Sequence, residues 1–319
     1  MIKTFWKDLR WLAAYAVIMI LMIPFALLPA KFSSALGAKL GVLLYYLLGK
    51  WRRCGEQTVA ALLPSFQAEG PWNSPAAFIR EVFSNLGVLL PELSRLYFGT
   101  GQPLLDSVEF RGMENYDAAQ REGRGIIAVT AHCGNWELMA LALGLRTKPI
   151  AVVARHAKKA YFSNMLEKIR TRYGNKVIYR DNGVKDMLIF LKGNGLIGIL
   201  PDQVVRPPHG ILVDFFGRPC WTSAMPVKLA LKTGSPVLPM FIHRENGRNI
   251  VTFHPALELL ATGSNEERIL DGTTKMNRAI ENHIRQYPTQ WNWLYRRWKG
   301  VPDRHDCHSA LLGVPLTSL

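Results

Sequence analysis

The chain has 319 residues, 49% of them hydrophobic and 20% charged, so it carries enough apolar side chains to bury a large core. Lys and Arg number 39 against 24 Asp and Glu, and the net charge of +15 suits an anionic partner: phospholipid headgroups, nucleic acid or an acidic carrier protein. No glycine-rich phosphate loop, zinc-finger spacing or aromatic RNA-binding signature is present, which leaves nucleic acid the least supported, and the separated Cys54, Cys133, Cys220 and Cys307 argue for reduced thiols in a cytosolic compartment rather than a disulfide framework.

Residues 11–30 form an uncharged run about as long as a bilayer core requires. A spanning or deeply embedded helix is expected there, kinked or ended by Pro24 and Pro29. A second apolar stretch, 32–49, is interrupted only by Lys39, so the two read as a hairpin or as one span followed by an interfacial helix. A cleaved signal peptide is the rival reading; the length of the run and the lack of a small-x-small cleavage site stand against it. Lys50, Trp51, Arg52 and Arg53 then combine cations with a ring suited to the headgroup layer. From 57 to 97 apolar residues, Phe78, Val82, Phe83 and Leu86 among them, recur every three or four positions, the pattern of a helix. The expected organisation is a membrane anchor (1–53), a helical membrane-proximal segment (54–104), an α/β domain (105–300) and an irregular tail (301–319).

Inside that domain strand and helix alternate. Strand is predicted at 108–112, 126–131, 150–154, 177–179, 196–200, 235–243 and 249–254; helix is predicted at 116–123, 136–145, 161–173, 184–192, 223–232 and 266–286. Such alternation predicts the α/β class: a mainly parallel mixed sheet flanked by helices, here with an N-terminal membrane-anchoring helical segment.

The segment from Ile126 to Glu137 delivers a histidine from a buried strand, then a turn, then an acid that opens a helix. On one continuous helix His132 and Glu137 would point roughly 140° apart, so they can meet only if His132 precedes the helix. Gly134 permits a tight turn and Asn135 is a good N-cap, which favours that arrangement at the carboxyl edge of a sheet. A histidine held by a carboxylate is a general base able to activate a substrate hydroxyl. The bland alternative is that His132 caps the turn and Glu137 complements the helix dipole. Cys133 is a candidate nucleophile, although neighbours on a turn point apart and a small thiol packs as an ordinary apolar residue.

Four further stretches carry candidates. Arg155, after the strand at 150–154, suits a phosphate, or else a surface ion pair. Asp202 and Gln203, after the strand at 196–200, are placed to position the turn, bind substrate or cap a strand end. Gly217, Arg218 and Thr222 precede a helix and are candidates for receiving an anion, with a capped loop as the alternative. The closing run 290–298 pairs tryptophans with arginines in the manner of an interfacial segment. His305, Cys307 and His308 lack an evident fourth ligand, so no metal is expected.

Taken in order, the N-terminal apolar anchor, the run from Ala131 to Glu137, Arg155, Pro201 to Gln203, Phe215 to Gly217 with Pro219 and Thr222, and Gln290 to Trp293 with Arg296 to Trp298 resemble the bacterial late acyltransferases of lipid A biosynthesis. These are the lauroyl- and myristoyltransferases within the broader HxxxxD/E glycerolipid acyltransferase group. The resemblance implies that His132 is the general base, Glu137 its orienting acid and Arg155 a contributor to phosphate binding. It implies an O-acyltransferase without metal or organic cofactor, with acyl carrier protein (or acyl-CoA) as donor and a hydroxyl of a lipid A precursor or related anionic glycolipid as acceptor. It also implies membrane lipids as partners, no nucleic acid, and a catalytic domain on the cytoplasmic side of the bacterial inner membrane. Two departures bear on the acceptor: His156 stands where family members often have proline, and Cys220 with Trp221 replaces a smaller pair. The alternatives are a non-catalytic lipid-binding protein on the same fold and an acyl hydrolase using Cys133.

Overall fold

The computed structural model describes residues 2–65, 72–157, 159–180 and 183–301; the His305, Cys307 and His308 group lies outside them. The first helix, α1 (Ile2–Leu27), runs through Pro24, and its stretch Leu9–Leu27 is long and apolar enough to cross a membrane. Pro29 starts α2 (Ala30–Leu47), and a 92° bend separates it from α3 (Gly49–Ala60), which carries Lys50, Trp51, Arg52 and Arg53. Ser74 then caps α4 (Pro75–Phe98) by accepting the Ala77 N–H, and left-handed Gly99 ends it.

The second apolar stretch, α2, is packed on α4. Its buried residues Ser33, Gly37, Gly41 and Tyr45 recur every four positions and make one stripe. Glycine is required where the helices cross: a Cβ on Gly41 would stand 2.0 Å from the Phe83 carbonyl oxygen, and one on Gly87 would stand 2.2 Å from that of Gly37. Small residues thus let the two backbones touch. The opposite face of α2 leaves Phe32 72% and Leu47 66% exposed.

After α5 (Gln102–Asp106) the chain alternates through β1 (Glu109–Arg111), α6 (Met113–Arg121), β2 (Ile126–Val129), α7 (Trp136–Arg146), β3 (Ala151–Ala154), α8 (Ala160–Thr171), β4 (Lys176–Tyr179), α9 (Val184–Lys192) and β5 (Leu196–Ile199). A hairpin, β6 (Gly210–Phe215) and β7 (Arg218–Ser223), follows, then α10 (Met225–Thr233), β8 (Val237–Glu245), β9 (Arg248–Phe253) and α11 (Asn265–Gln286). The seven-stranded sheet runs β1-β9-β8-β2-β5-β3-β4, parallel throughout except at the β8–β9 pair. It is the mainly parallel mixed sheet that the alternation predicts.

Central β2 is buried at every position. Ile127 and Val129 face one core, with Phe78, Leu229 and Ile280, while Ile126 and Ala128 face the other, with Leu138, Leu141 and Met240. Two layers of helices therefore cover the sheet, as an all-apolar strand demands.

Two expectations are corrected. Residues 215–222 are not a loop feeding a helix: Phe216 and Gly217, both at positive φ, form the two-residue turn of the β6–β7 hairpin. The closing run is not interfacial either, since Trp291, Trp293 and Arg297 are at most 1% exposed. Buried acceptors take up their polar groups. Trp293 Nε1 donates to the Pro288 carbonyl, and Arg297 donates to the Trp221 carbonyl and the Thr222 hydroxyl.

Candidate functional site

The site begins where β2 ends. Val129 of β2 pairs with Ile199 of β5 in parallel register, so the residues three places beyond each, His132 and Asp202, come level at the carboxyl edge of the sheet. Gly134, at φ +48, turns the chain against the backbone of Ile242, where a Cβ would come within 2.8 Å of a carbonyl oxygen. Asn135 then caps α7 by accepting the Leu138 N–H, while its amide donates to buried Glu92 of α4. The strand, turn and capped helix are those expected from the sequence.

The histidine's partner is different from the expected one. Asp202, 2% exposed, accepts from Nδ1 of His132 at 2.7 Å through one oxygen. Its other oxygen accepts the His132 backbone N–H at 2.8 Å and Trp291 Nε1 at 2.9 Å. Burial by itself raises the Asp202 pKa, but the charge and hydrogen bonds of His132 outweigh it and hold the carboxyl below its ordinary value. Burial likewise depresses His132, and the Asp202 carboxylate more than offsets this, leaving the imidazole above 6.5. With Nδ1–H donated to Asp202, the lone pair of Nε2 faces the Gln203 amide nitrogen at 3.3 Å.

Glu137 does not touch His132. The first turn of α7 carries it toward α8, where Arg170 donates Nε to Oε2 at 2.8 Å and Nη2 to Oε1 at 2.5 Å, a two-pronged ion pair. Trp136 Nε1 adds a third bond at 3.2 Å, and the Trp136 ring lies 4.9 Å edge-on from that of His132. The charge of Glu137 still raises the proton affinity of the imidazole, after the larger effect of Asp202.

These groups open on a cleft of about 640 Å³, a size common for ligand sites. His132, Arg155, Arg170, Arg180, Gln203 and His209 supply polar and cationic lining, while Ala128, Met139, Ile150, Val152, Leu196 and Met240 supply apolar lining. Of the eight candidates, His132, Glu137, Arg155 and Gln203 line this cleft, and Asp202 stands behind His132.

Gly217, Arg218 and Thr222 lie outside the cleft. Gly217 sits in the hairpin turn, the Arg218 guanidinium lies 5.2 Å over the Trp298 ring, and fully buried Thr222 accepts from Arg297 and Asn277. Arg170 and Arg180 escaped the sequence reading because no fixed spacing ties them to His132, and a basic residue in the last turn of a helix, where Arg170 lies, is common. Cys133 is 1% exposed and burial pushes its thiol well above the ordinary range, so it lacks the thiolate character of a nucleophile.

A family model described as bacterial lipid A biosynthesis acyltransferase matches residues 2–300. The chain is 23% identical over 302 residues to the lipid A biosynthesis acyltransferase of Haemophilus influenzae, covering 93% of this chain and 90% of that protein. It is 24% identical over 283 residues to the lipid A biosynthesis palmitoleoyltransferase of Escherichia coli K12, with coverage of 86% and 87%. Similarity extends to the phosphatidylinositol mannoside acyltransferase of Mycolicibacterium smegmatis, at 23% identity over 267 residues and coverage of 82% and 85%.

Proposed function

We propose that this chain, which belongs to the bacterial lipid A biosynthesis acyltransferase family and is an acyltransferase, moves a fatty acyl group from a thioester donor to a hydroxyl of an anionic glycolipid of the lipid A type. The observation that carries this reading is the His132–Asp202 pair, open to a cleft that joins cationic lining to apolar lining. A buried carboxylate on Nδ1 keeps Nε2 as the acceptor nitrogen, the requirement for a general base.

The acceptor hydroxyl takes the place of the Gln203 amide at Nε2. As its oxygen bonds to the acyl carbonyl carbon, its proton passes to Nε2, and Asp202 stabilises the imidazolium. Collapse of the tetrahedral intermediate breaks the carbon–sulfur bond, and the leaving thiolate recovers the proton. Arg155 and Arg180 at the cleft receive acceptor phosphate. Arg170, held by Glu137, adds positive field while fixing α7 against α8.

Acyl carrier protein is the donor that the net charge of +15 favours over acyl-CoA, because an acidic carrier gains from the whole surface. The apolar stretch Leu9–Leu27 and the outer face of α2 support attachment to the inner membrane, and the basic run on α3 supports a catalytic domain on its cytoplasmic side. The names of the relatives support this choice of acceptor, since lipid A and phosphatidylinositol mannosides are both anionic glycolipids.

The test is transfer by the purified full-length protein from acyl carrier protein thioesters to a lipid A precursor, read by mass spectrometry. One added acyl mass is expected with wild type and none with His132→Ala. Thioester consumption without an acylated lipid would overturn the proposal.

A further inference from the structure

A thioester carbonyl becomes negatively charged as it is attacked, and the groups so far assigned supply a base but no donor for that oxygen. The residue that follows β2 holds one. Ala128, Thr130 and His132 alternate along the chain and all line the cleft, the two-residue period of an extended strand. Thr130 is 3% exposed, and its Oγ1 has no hydrogen-bond partner among the described residues. Buried hydroxyls are nearly always paired, so an unpaired one on a residue that lines a ligand cleft marks a place for a ligand atom.

The neighbouring strands indicate which atom. Ala128 pairs with Gly198 of β5, and Gly198 pairs with Val152 of β3, so this row of the sheet is low in the middle. A Cβ placed on Gly198 would meet a single atom within 4 Å, the Ala151 carbonyl oxygen at 3.9 Å. A groove floored by small residues therefore leads from His132 down the sheet, with Ile150 and Leu196 at its far end. An acyl chain lying in that groove with its carbonyl between His132 and Thr130, whose side chains leave the same face about 7 Å apart along the chain, brings the carbonyl oxygen beside Thr130.

We infer that the Thr130 hydroxyl donates a hydrogen bond to the acyl carbonyl oxygen and stabilises the oxyanion, which makes it a further catalytic residue; the inference rests on the acyl-transfer reading above. When the acceptor oxygen bonds to the carbonyl carbon, the carbonyl π pair moves onto the oxygen that Thr130 faces, and the acceptor proton moves to His132 Nε2. When that pair returns, the carbon–sulfur bond breaks and the thiolate takes the proton from His132.

The experiment compares wild type with Thr130→Val, Thr130→Ser and Thr130→Ala in the full-length protein, using an acyl carrier protein thioester and a lipid A precursor. Thr130→Val keeps the side-chain shape and removes only a donor that makes no bond among the described residues, so folding survives. The expected result is a fall in kcat of about 10²–10³-fold, the loss typical of one oxyanion donor, with donor KM little changed. Thr130→Ser should restore most of the rate and Thr130→Ala should not; both lack the methyl group, so their ratio reports the hydroxyl alone. Thr130→Val at wild-type kcat, or Ser and Ala variants of equal rate, overturns the assignment while leaving the acyltransferase reading intact. A wild-type enzyme that transfers nothing defeats the underlying reading instead.

Discussion

Asp202 grips His132 twice, taking the ring Nδ1 at 2.7 Å on one oxygen and the backbone N–H at 2.8 Å on the other. The ring and the turn that carries it are thus oriented by one carboxylate, and the aromatic N–H of Trp291 completes its shell. Seventy residues of chain separate the pair.

Removing the charge of Asp202 should change both rate and pH profile. Asp202→Asn can present its amide to Nδ1 and favour the wrong tautomer, so kcat is expected to fall on the order of 10³-fold or more. Activity needs neutral His132, whose pKa lies above 6.5 because Asp202 outweighs the opposing effect of burial. The wild-type rate should therefore rise with pH through a midpoint above 6.5. In Asp202→Asn the residual activity should titrate lower, because the imidazolium loses its counter-charge. Initial rates across pH 5–9 check this; an unshifted acid limb would assign the titration to another group.

Gly198 should govern how long an acyl chain the groove accepts. A Cβ there meets only the Ala151 carbonyl oxygen within 4 Å, so valine projects into space that the glycine leaves open. Since each methylene excluded from an apolar pocket changes selectivity by roughly 10-fold or more, Gly198→Val should disfavour the longest accepted chain by at least that factor and spare short ones. Competition among carrier-protein thioesters of graded length reads the ratio. Equal losses for all lengths would mean that the chain lies elsewhere.

The protein should lose stability in acid through histidines away from the site. His243 is 2% exposed, its two ring nitrogens lack partners among the described residues, and its ring stacks 3.7 Å from Tyr287. Burial pulls it from 6.5 down to about 4, with a smaller opposing effect from the Glu245 carboxylate and a further lowering by the Arg111 charge. His283, stacked on Phe241, is pulled to about 3 by burial and by the neighbouring His243 and His254. Both folded-state values lie below the unfolded one, so the unfolded chain binds the extra protons. Stability is then complete above about pH 6.5 and declines as pH falls toward 3. Thermal melts should show that decline, and His243→Phe, which keeps the stacking and cannot titrate, should flatten it.

Much of this molecule is written in short-range patterns. The strand–turn–helix at His132 follows from an apolar run, Gly134 and the cap at Asn135, and the parallel sheet follows from alternation of strand and helix. Such features depend on residues a few positions apart, which backbone geometry constrains directly. The tertiary structure alone decided which acid holds the histidine. Glu137 is near in sequence but swings to Arg170 on α8, whereas Asp202 arrives because Val129 and Ile199 are in register on adjacent strands. It likewise decided that Trp291 and Trp293 are core rather than membrane anchors, since aromatic and cationic residues in a row fit either setting until their buried acceptors are known. Local spacing sets where a side chain leaves the backbone; sheet register and helix packing set what it meets.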